Sequence, residues 1–273
     1  MSTVHATAAA GFGTGTNELY DKARPSYPDV ALSAIRDVIK GTPPFEIVEL
    51  GAGTGLFTRA LLAHPAFAKT IGHVRAVEPS QGMRDQFSKS VTDERVSIHD
   101  GTFQATTAES ESADLVVVAQ AWHWCPDYDR AIAEFARILK PNGVAVFIWN
   151  MEDRDAAGWV HQLRTAYEQH EGGTPQFRLN LWRATFSTPS YVKYFEPQEE
   201  REWTYTLPTT HEGVINRVHS KSYITQLSES DRAKVDQSLD EILKKGDGRV
   251  WIDEKEGVFE YPYKNHVVIM RKK

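Results

Sequence analysis

Between Tyr27 and Asn150, short apolar runs alternate with stretches whose apolar residues recur every three or four positions. That alternation predicts β-α-β units feeding a parallel sheet. Leu32, Ile35 and Ile39 predict a helix over Asp29 to Lys40, which Gly41 and the Pro43-Pro44 pair stop. A strand over Phe45 to Leu50, a glycine turn over Gly51 to Gly55 and a helix over Leu56 to Ala63 follow, the helix carrying Phe57, Ala60 and Leu61 on one face. "HVRAVE" reads as a second strand ending at Glu78, and Ser80 as the N-cap of a helix through Phe87. "RVSIHD" is a short third strand ending at Asp100. Asp114 to Gln120 holds the near-continuous apolar run "LVVVA", the pattern of a strand buried on both faces, so it belongs at the centre of the sheet. A helix over Asp127 to Leu139 ends at "KPNG", and "VAVFIWN", Val144 to Asn150, is the fifth strand.

Beyond Asn150 the pattern turns polar and tryptophan-bearing. "EWTYTL" alternates with Trp203, Tyr205 and Leu207 on one face, a helix-rich segment spans His211 to Lys245, and "GDG" at Gly246 to Gly248 leads to a last strand, "NHVVIM". The prediction is therefore an α/β, Rossmann-like, doubly wound sheet of seven strands, mostly parallel with an antiparallel closing strand, plus helical cap elements. Its parts are an N-terminal segment (1–26), a core (27–150), cap elements with one sheet strand (151–245) and the closing strand (246–273).

Composition narrows the function classes. The chain has 273 residues, 41% hydrophobic and 25% charged, enough for one large core. A formal charge of −6 disfavours a nucleic-acid partner, which needs clustered Lys and Arg to displace counterions. One cysteine allows no intrachain disulfide, no apolar run approaches the ~18 residues of a membrane span, and the opening residues show no basic leader. A cytoplasmic protein acting on a small molecule, away from membranes, is the expectation.

Two glycine stretches look alike, "GFGTGT" at Gly11 to Thr16 and "GAGTGL" at Gly51 to Leu56. Only the second follows a strand and opens a helix, the context in which backbone N–H groups approach a ligand closely. A dinucleotide fingerprint, G-x-G-x-x-G, fails there because the third glycine falls one position early, at Gly55. Glu78, at the end of its strand beside this loop, can accept hydrogen bonds from both hydroxyls of a ribose. Glu49 stands among apolar residues, where an acid is costly unless it meets a cation.

The E-L-G-x-G-x-G loop with an acidic residue ending the second strand resembles the class I S-adenosylmethionine-dependent methyltransferases. "YDKARPSYP", "QAWHW" and "ILKPNGVAVFIWN" resemble the small-molecule branch similar to trans-aconitate methyltransferase, a methyltransferase type 11 domain. The resemblance implies S-adenosyl-L-methionine as cofactor. It implies contacts from Gly51, Ala52, Gly53 and Gly55, from Glu78 with Pro79 and Met83, from Asp100, Gly101 and Thr102 around the adenine, and from Gln120 and Ala121. Arg24 would pair with the methionine carboxylate, Tyr20 would flank the cofactor, and Glu49 would meet its ammonium group.

"QAWHWC", Gln120 to Cys125, is then the floor of an acceptor pocket. Trp122 and Trp124 are candidate walls that favour a sulfonium through cation–π contacts of roughly 0.5 to 2 kcal/mol, and His123 is a candidate base or hydrogen-bond donor. His123 and Cys125 supply at most two ligands, so no metal site is expected. Asn150, Trp159, Trp182, Arg183 and Tyr223 are candidate acceptor contacts, Arg183 because it suits a carboxylate. The expected activity is methyl transfer to a small-molecule oxygen, carboxylate or hydroxyl. The alternatives are a cofactor-binding module without transfer and an NAD-dependent oxidoreductase.

Overall fold

The computed structural model describes residues 17–273; the first glycine stretch, Gly11 to Thr16, lies outside the described residues. Helix α1 (Asn17–Ala23) precedes α2 (Asp29–Val38), whose Leu32 and Ile35 are fully buried. Strand β1 (Phe45–Leu50) leads through the glycine turn into α3 (Leu56–Ala63), with a single turn α4 (Pro65–Ala68) after it. Strand β2 (Ile71–Val77), helix α5 (Gln81–Ser90) and strand β3 (Val96–His99) follow. The Ser80 hydroxyl accepts from the Met83 N–H at 3.4 Å, the N-cap its position predicted. Strand β4 (Ala113–Ala119) is buried at six of seven positions, as its apolar run required. Helix α6 (Tyr128–Ile138), capped by Asp127, presses Ile132, Phe135 and Ile138 onto the sheet, each such side chain contributing about 1.5 to 3 kcal/mol.

Strand β5 (Leu139–Glu152) runs two residues past Asn150, helix α7 (Gly158–Glu168) and short α8 (Pro189–Tyr194) follow, and β6 (Glu199–Thr209) returns to the sheet. Helices α9 (His211–His219), α10 (Ser222–Thr225) and α11 (Glu229–Lys245) precede the three-residue β7 (Trp251–Asp253) and the long β8 (Val258–Arg271). The sheet order is β3-β2-β1-β4-β5-β8-β6, with β7 added to β8 as an eighth strand. The pairings β2–β3, β1–β2, β1–β4 and β4–β5 are parallel, whereas β8 is antiparallel to both β5 and β6. The doubly wound, mostly parallel sheet with an antiparallel closing strand is thus present.

Strand β8, at 14 residues, is more than twice the length its apolar run suggested. From Val258 to Lys264 only alternate residues are buried, with Phe259, Tyr261 and Tyr263 facing a core of their own formed with Trp159, Leu163, Val218 and Leu239. From Asn265 to Met270 the strand is continuously buried. One strand therefore carries two hydrophobic periods, because helices cover both faces of only one half. Among the described residues no helix is long and apolar enough to cross a membrane.

Candidate active site

The order of the strands reverses between β1 and β4, the point where open α/β sheets present a ligand crevice. The loops leaving these two strands lie side by side. Gly51 has φ 68°, and a Cβ there would lie 2.7 Å from the Ala121 Cβ, so the approach of the two loops requires glycine. Gly53 faces open space, with nothing within 4 Å of the position a Cβ would take. Its N–H donates to Glu78 Oε2 at 3.0 Å, while the Ser80 N–H donates to Oε1 at 2.9 Å. Burial raises the Glu78 carboxyl above its ordinary value, and these two backbone bonds work against that rise.

A second carboxyl lies under the turn. Glu49 is 1% exposed and accepts from the Thr58 hydroxyl at 2.5 Å. Burial drives it up to about 8, against the Thr58 bond and the charge of Arg59. Its Oε1 has no hydrogen-bond partner among the described residues. A buried carboxyl oxygen left without a donor fits a site that a cationic ligand group completes. Glu49, Gly51, Gly53, Tyr27, Ala119 and Gln120 line a cavity of about 400 Å³, with Tyr20 and Arg24 across it.

Helix α1 closes this cavity from two anchor points. Asp21 Oδ1 accepts from the Thr54 hydroxyl at 2.7 Å and from Arg59 Nη2 at 2.6 Å, tying α1 to the glycine turn. Arg24 donates from Nε to the Ser220 hydroxyl at 3.0 Å and from Nη2 to the Ser220 carbonyl at 2.9 Å, tying α1 to the end of α9. Its guanidinium also stands 4.5 Å over the Tyr20 ring. Asp21, Thr54, Arg59 and Ser220 were not anticipated from sequence, since partners 33 to 196 positions apart leave no periodic signal.

A larger cavity, about 730 Å³, opens beyond the first and shares Tyr20, Arg24 and Gln120 with it. Gln120 sits at φ 58° and donates from Nε2 to the Asn150 carbonyl at 2.7 Å, which holds the end of β4 against β5. Asn150 donates to the Ser26 carbonyl at 3.0 Å and accepts from Asn265 Nδ2 at 2.7 Å, so it lines the cavity as a clamp between the N-terminal segment, β5 and β8. His123, Trp124, Trp149 and Tyr223 form apolar and aromatic lining.

The remaining wall is charged. Among the described residues the lining carries Arg24, Arg164, Arg178, Arg217 and Lys221 against Glu152, Glu168 and Glu171, an excess of cations in a chain of formal charge −6. Glu152 is the hub, with Arg217 Nη2 at 2.8 Å and Lys221 Nζ at 3.1 Å. Burial opposes its charge, but Arg217, Lys221 and Arg164 overcome this and hold the carboxyl well below the usual range. Burial, followed by the charge of Arg217, pushes Lys221 down to about 7 against the pull of Glu152. Glu168 is met by Arg164 at 2.5 Å, and Glu171 by Arg178.

Several expected contacts lie elsewhere. Trp122 is fully buried, stacked on Phe147 at 4.5 Å with its indole N–H on the Thr185 hydroxyl at 2.9 Å; it belongs to the core under the site and lines neither cavity. Trp159 is fully buried in the separate core of α7, α9 and β8. Arg183 is at the surface, bridging both Glu200 oxygens at 2.7 and 2.8 Å and lying 4.5 Å over Trp182, because a partner on β6 draws it away from the cavity. Asp100 is three-quarters exposed and paired with Arg84 at 3.1 Å. Pro79, Met83, Gly101 and Thr102 line neither cavity; Gly101 is needed by packing, since a Cβ would lie 2.7 Å from Val77 Cγ1. Cys125 is buried and pushed up to about 12 by that burial, which leaves it an inert thiol. Among the described residues no three His, Cys, Asp or Glu side chains come together as a metal site.

Residues 48–147 match the family described as a methyltransferase domain. The chain is 31% identical over 226 residues to a methyltransferase-like protein of Schizosaccharomyces pombe, covering 82% of this chain and 83% of the relative. It is likewise 31% identical over 224 residues to a methyltransferase of Mycobacterium tuberculosis, covering 82% of each. Among solved structures, a type II methyltransferase from Anaeromyxobacter dehalogenans superposes with a TM-score of 0.63 at 18% identity, over 91% of this chain and 97% of that one. A phosphoethanolamine N-methyltransferase of Haemonchus contortus, solved with S-adenosyl-L-methionine, gives 0.52 at 12% identity, over 92% of this chain and 56% of that one.

Proposed function

The chain belongs to the class I S-adenosylmethionine-dependent methyltransferases, and from that premise we propose that it methylates an oxygen, carboxylate or hydroxyl, of a small molecule held in the larger cavity. The observation that carries this reading is the junction of the two cavities at Tyr20, Arg24 and Gln120. A cofactor in the smaller cavity and an acceptor in the larger meet only there. S-adenosyl-L-methionine supplies an activated methyl group that an in-line nucleophile displaces.

The chain's own residues hold the partners and keep water out, which is most of what such a displacement asks. Glu49 takes the ammonium group, relieving its unpaired oxygen; Glu78 takes the ribose hydroxyls; Arg24 takes the methionine carboxylate. Tyr20 at the junction and Trp124 on the larger cavity are aromatic side chains within reach of a sulfonium. The excess of cations in the larger cavity favours an anionic acceptor over a neutral one. Residues 1–26 act as the segment closing over the cofactor, 27–150 as its binding core, 151–245 as the cap that reads the acceptor, and 246–273 as the strand closing the sheet. The concave shape of the site and the chain's negative charge suit a small molecule rather than nucleic acid, and a lone buried thiol suits the reducing cytoplasm.

Calorimetry with S-adenosylhomocysteine tests the first half, with one molecule bound per chain as the expected result; no binding would end the reading. Incubation with methyl-labelled cofactor and a panel of carboxylates, phenols and amines, read by mass spectrometry, tests the second. Labelled esters or ethers are expected, and label confined to amines would reject the oxygen acceptor.

A further inference from the structure

Resting on the methyl-transfer reading and deepening it, the geometry points to His123 as a locked hydrogen-bond donor that selects an acceptor with no proton to lose, and to Trp149 as the residue that locks it. Trp149 is fully buried in β5, packed against Phe147, Phe177 and Trp182. An indole N–H can only donate. Its partner is His123 Nδ1 at 3.3 Å. Nδ1 must therefore offer its lone pair to Trp149, which puts the ring proton on Nε2, the nitrogen left for a ligand in the larger cavity that His123 lines.

A general base needs a free lone pair facing the acceptor, and the one lone pair of this imidazole is spent on the indole. Protonating Nδ1 would set one N–H against another. The surroundings favour the same form, since burial and the positive charge of Arg24 push His123 down to about 3. Glu152 and Glu168 are committed to Arg217 and Arg164, and Lys221 donates to Glu152. The acceptor oxygen must then arrive ionised, as a carboxylate does and an alcohol or phenol does not. Its lone pair forms the new O–CH3 bond as the methyl carbon leaves sulfur with the bonding pair, and no proton moves. His123 steadies the second carboxylate oxygen.

Long-range 1H–15N spectra of the full chain labelled in histidine read the lock directly. The His123 signals, identified by their loss in His123→Gln, are expected to report neutral, Nε2-protonated imidazole from about pH 5 to 8. An imidazolium or an Nδ1–H tautomer in that range would overturn the proposal. Trp149→Phe is expected to release the tautomer, and an unchanged spectrum there would count against the lock. With aliphatic and aromatic carboxylates as acceptors, His123→Gln, which keeps a donor, is expected to stay within about threefold of wild type, whereas His123→Leu loses about 10- to 100-fold in kcat/KM. Methylation of a phenol that disappears in His123→Gln and declines with falling pH would overturn the proposal. The spectra need no cofactor, so their outcome is separable from calorimetry with S-adenosylhomocysteine, which tests the methyl-transfer reading itself.

Discussion

The two cavities are built by opposite strategies. The smaller one is lined mostly by residues close in sequence, with Glu49 at the end of β1 and Gly51, Ala52, Gly53 and Thr54 on the turn after it, a turn held from outside the cavity by the Gly53 N–H bond to Glu78. The larger one borrows Arg164 from α7, Arg178 from the turns after it, and Arg217 and Lys221 from the end of α9, all converging on glutamates of β5 and α7. The first depends on backbone geometry, which tolerates few residue types at fixed spacing. The second depends on buried ion pairs with cations in excess, which many sequences can supply from many positions.

If that contrast holds, the largest effect of a single change should fall in the charged wall. Arg217 is 3% exposed and bound to Glu152. Arg217→Met would leave the buried Glu152 with Lys221 as its remaining ion-pair partner and only the more distant charge of Arg164 besides, at a cost of about 3 to 5 kcal/mol. Thermal unfolding should show that loss, and calorimetry on protein still folded in the cold should show S-adenosylhomocysteine binding largely retained. Equal damage to both would mean the two cavities are one cooperative unit.

At the backbone-built end the corresponding change is Gly51→Ala. The left-handed conformation costs a non-glycine residue about 1 to 2 kcal/mol, and the 2.7 Å approach to Ala121 adds crowding of about 1 to 3 kcal/mol. Here the loss is expected in cofactor affinity, tenfold or more, read by the same titration. Gly53→Ala, with open space around it, should be the milder variant for folding.

The same contrast explains what could be read in the sequence. The glycine turn, the Ser80 cap, Glu78 and β4 were legible because each is fixed by local period, spacing or turn chemistry. Arg164, Arg178, Arg217 and Lys221 were not, because they lie in helices and turns where a solvated charge gives the same pattern. Trp122 and Trp124, two residues apart, were expected to share one role, yet the 3-10 turn Trp122–Trp124 points one into the core and leaves the other on the cavity. Arg183 is expected at the acceptor because it suits a carboxylate, and a local pattern does not reveal that the carboxylate it meets is Glu200 on β6.

A smaller effect, expressed through pH, separates the two ends again. The folded Glu49 carboxyl is raised from 4.5 to about 8, so the folded chain without cofactor binds more protons than the unfolded one across that window. Stability from this group is therefore full below the unfolded value and lost as pH rises through about 8. An ammonium group beside Glu49 reverses the balance, because it pairs with the ionised form. S-adenosylhomocysteine affinity is expected to weaken as pH falls below about 8, by up to tenfold per unit, with proton release in calorimetry across buffers of different ionisation enthalpy. Glu49→Gln should flatten that dependence. Affinity that strengthens towards low pH would place the ammonium elsewhere.

The smallest effect is expected at Arg183. Its guanidinium binds both Glu200 oxygens and covers Trp182, but the side chain is 42% exposed, so solvent screens the pair. Arg183→Ala should cost no more than about 0.5 to 1 kcal/mol and leave KM for a carboxylate acceptor unchanged. The value of so small a change lies in its contrast with Arg217→Met. Both remove an arginine bound to a glutamate that keeps a second partner, His266 at Glu200 and Lys221 at Glu152, and they differ most in how far the carboxylate left behind reaches water. Glu200, a quarter exposed on edge strand β6, has water at hand; Glu152, 4% exposed, does not. A rise in KM for Arg183→Ala would mean that acceptors enter across the Trp182 face, and the cap would then recognise its ligand before the cavity does.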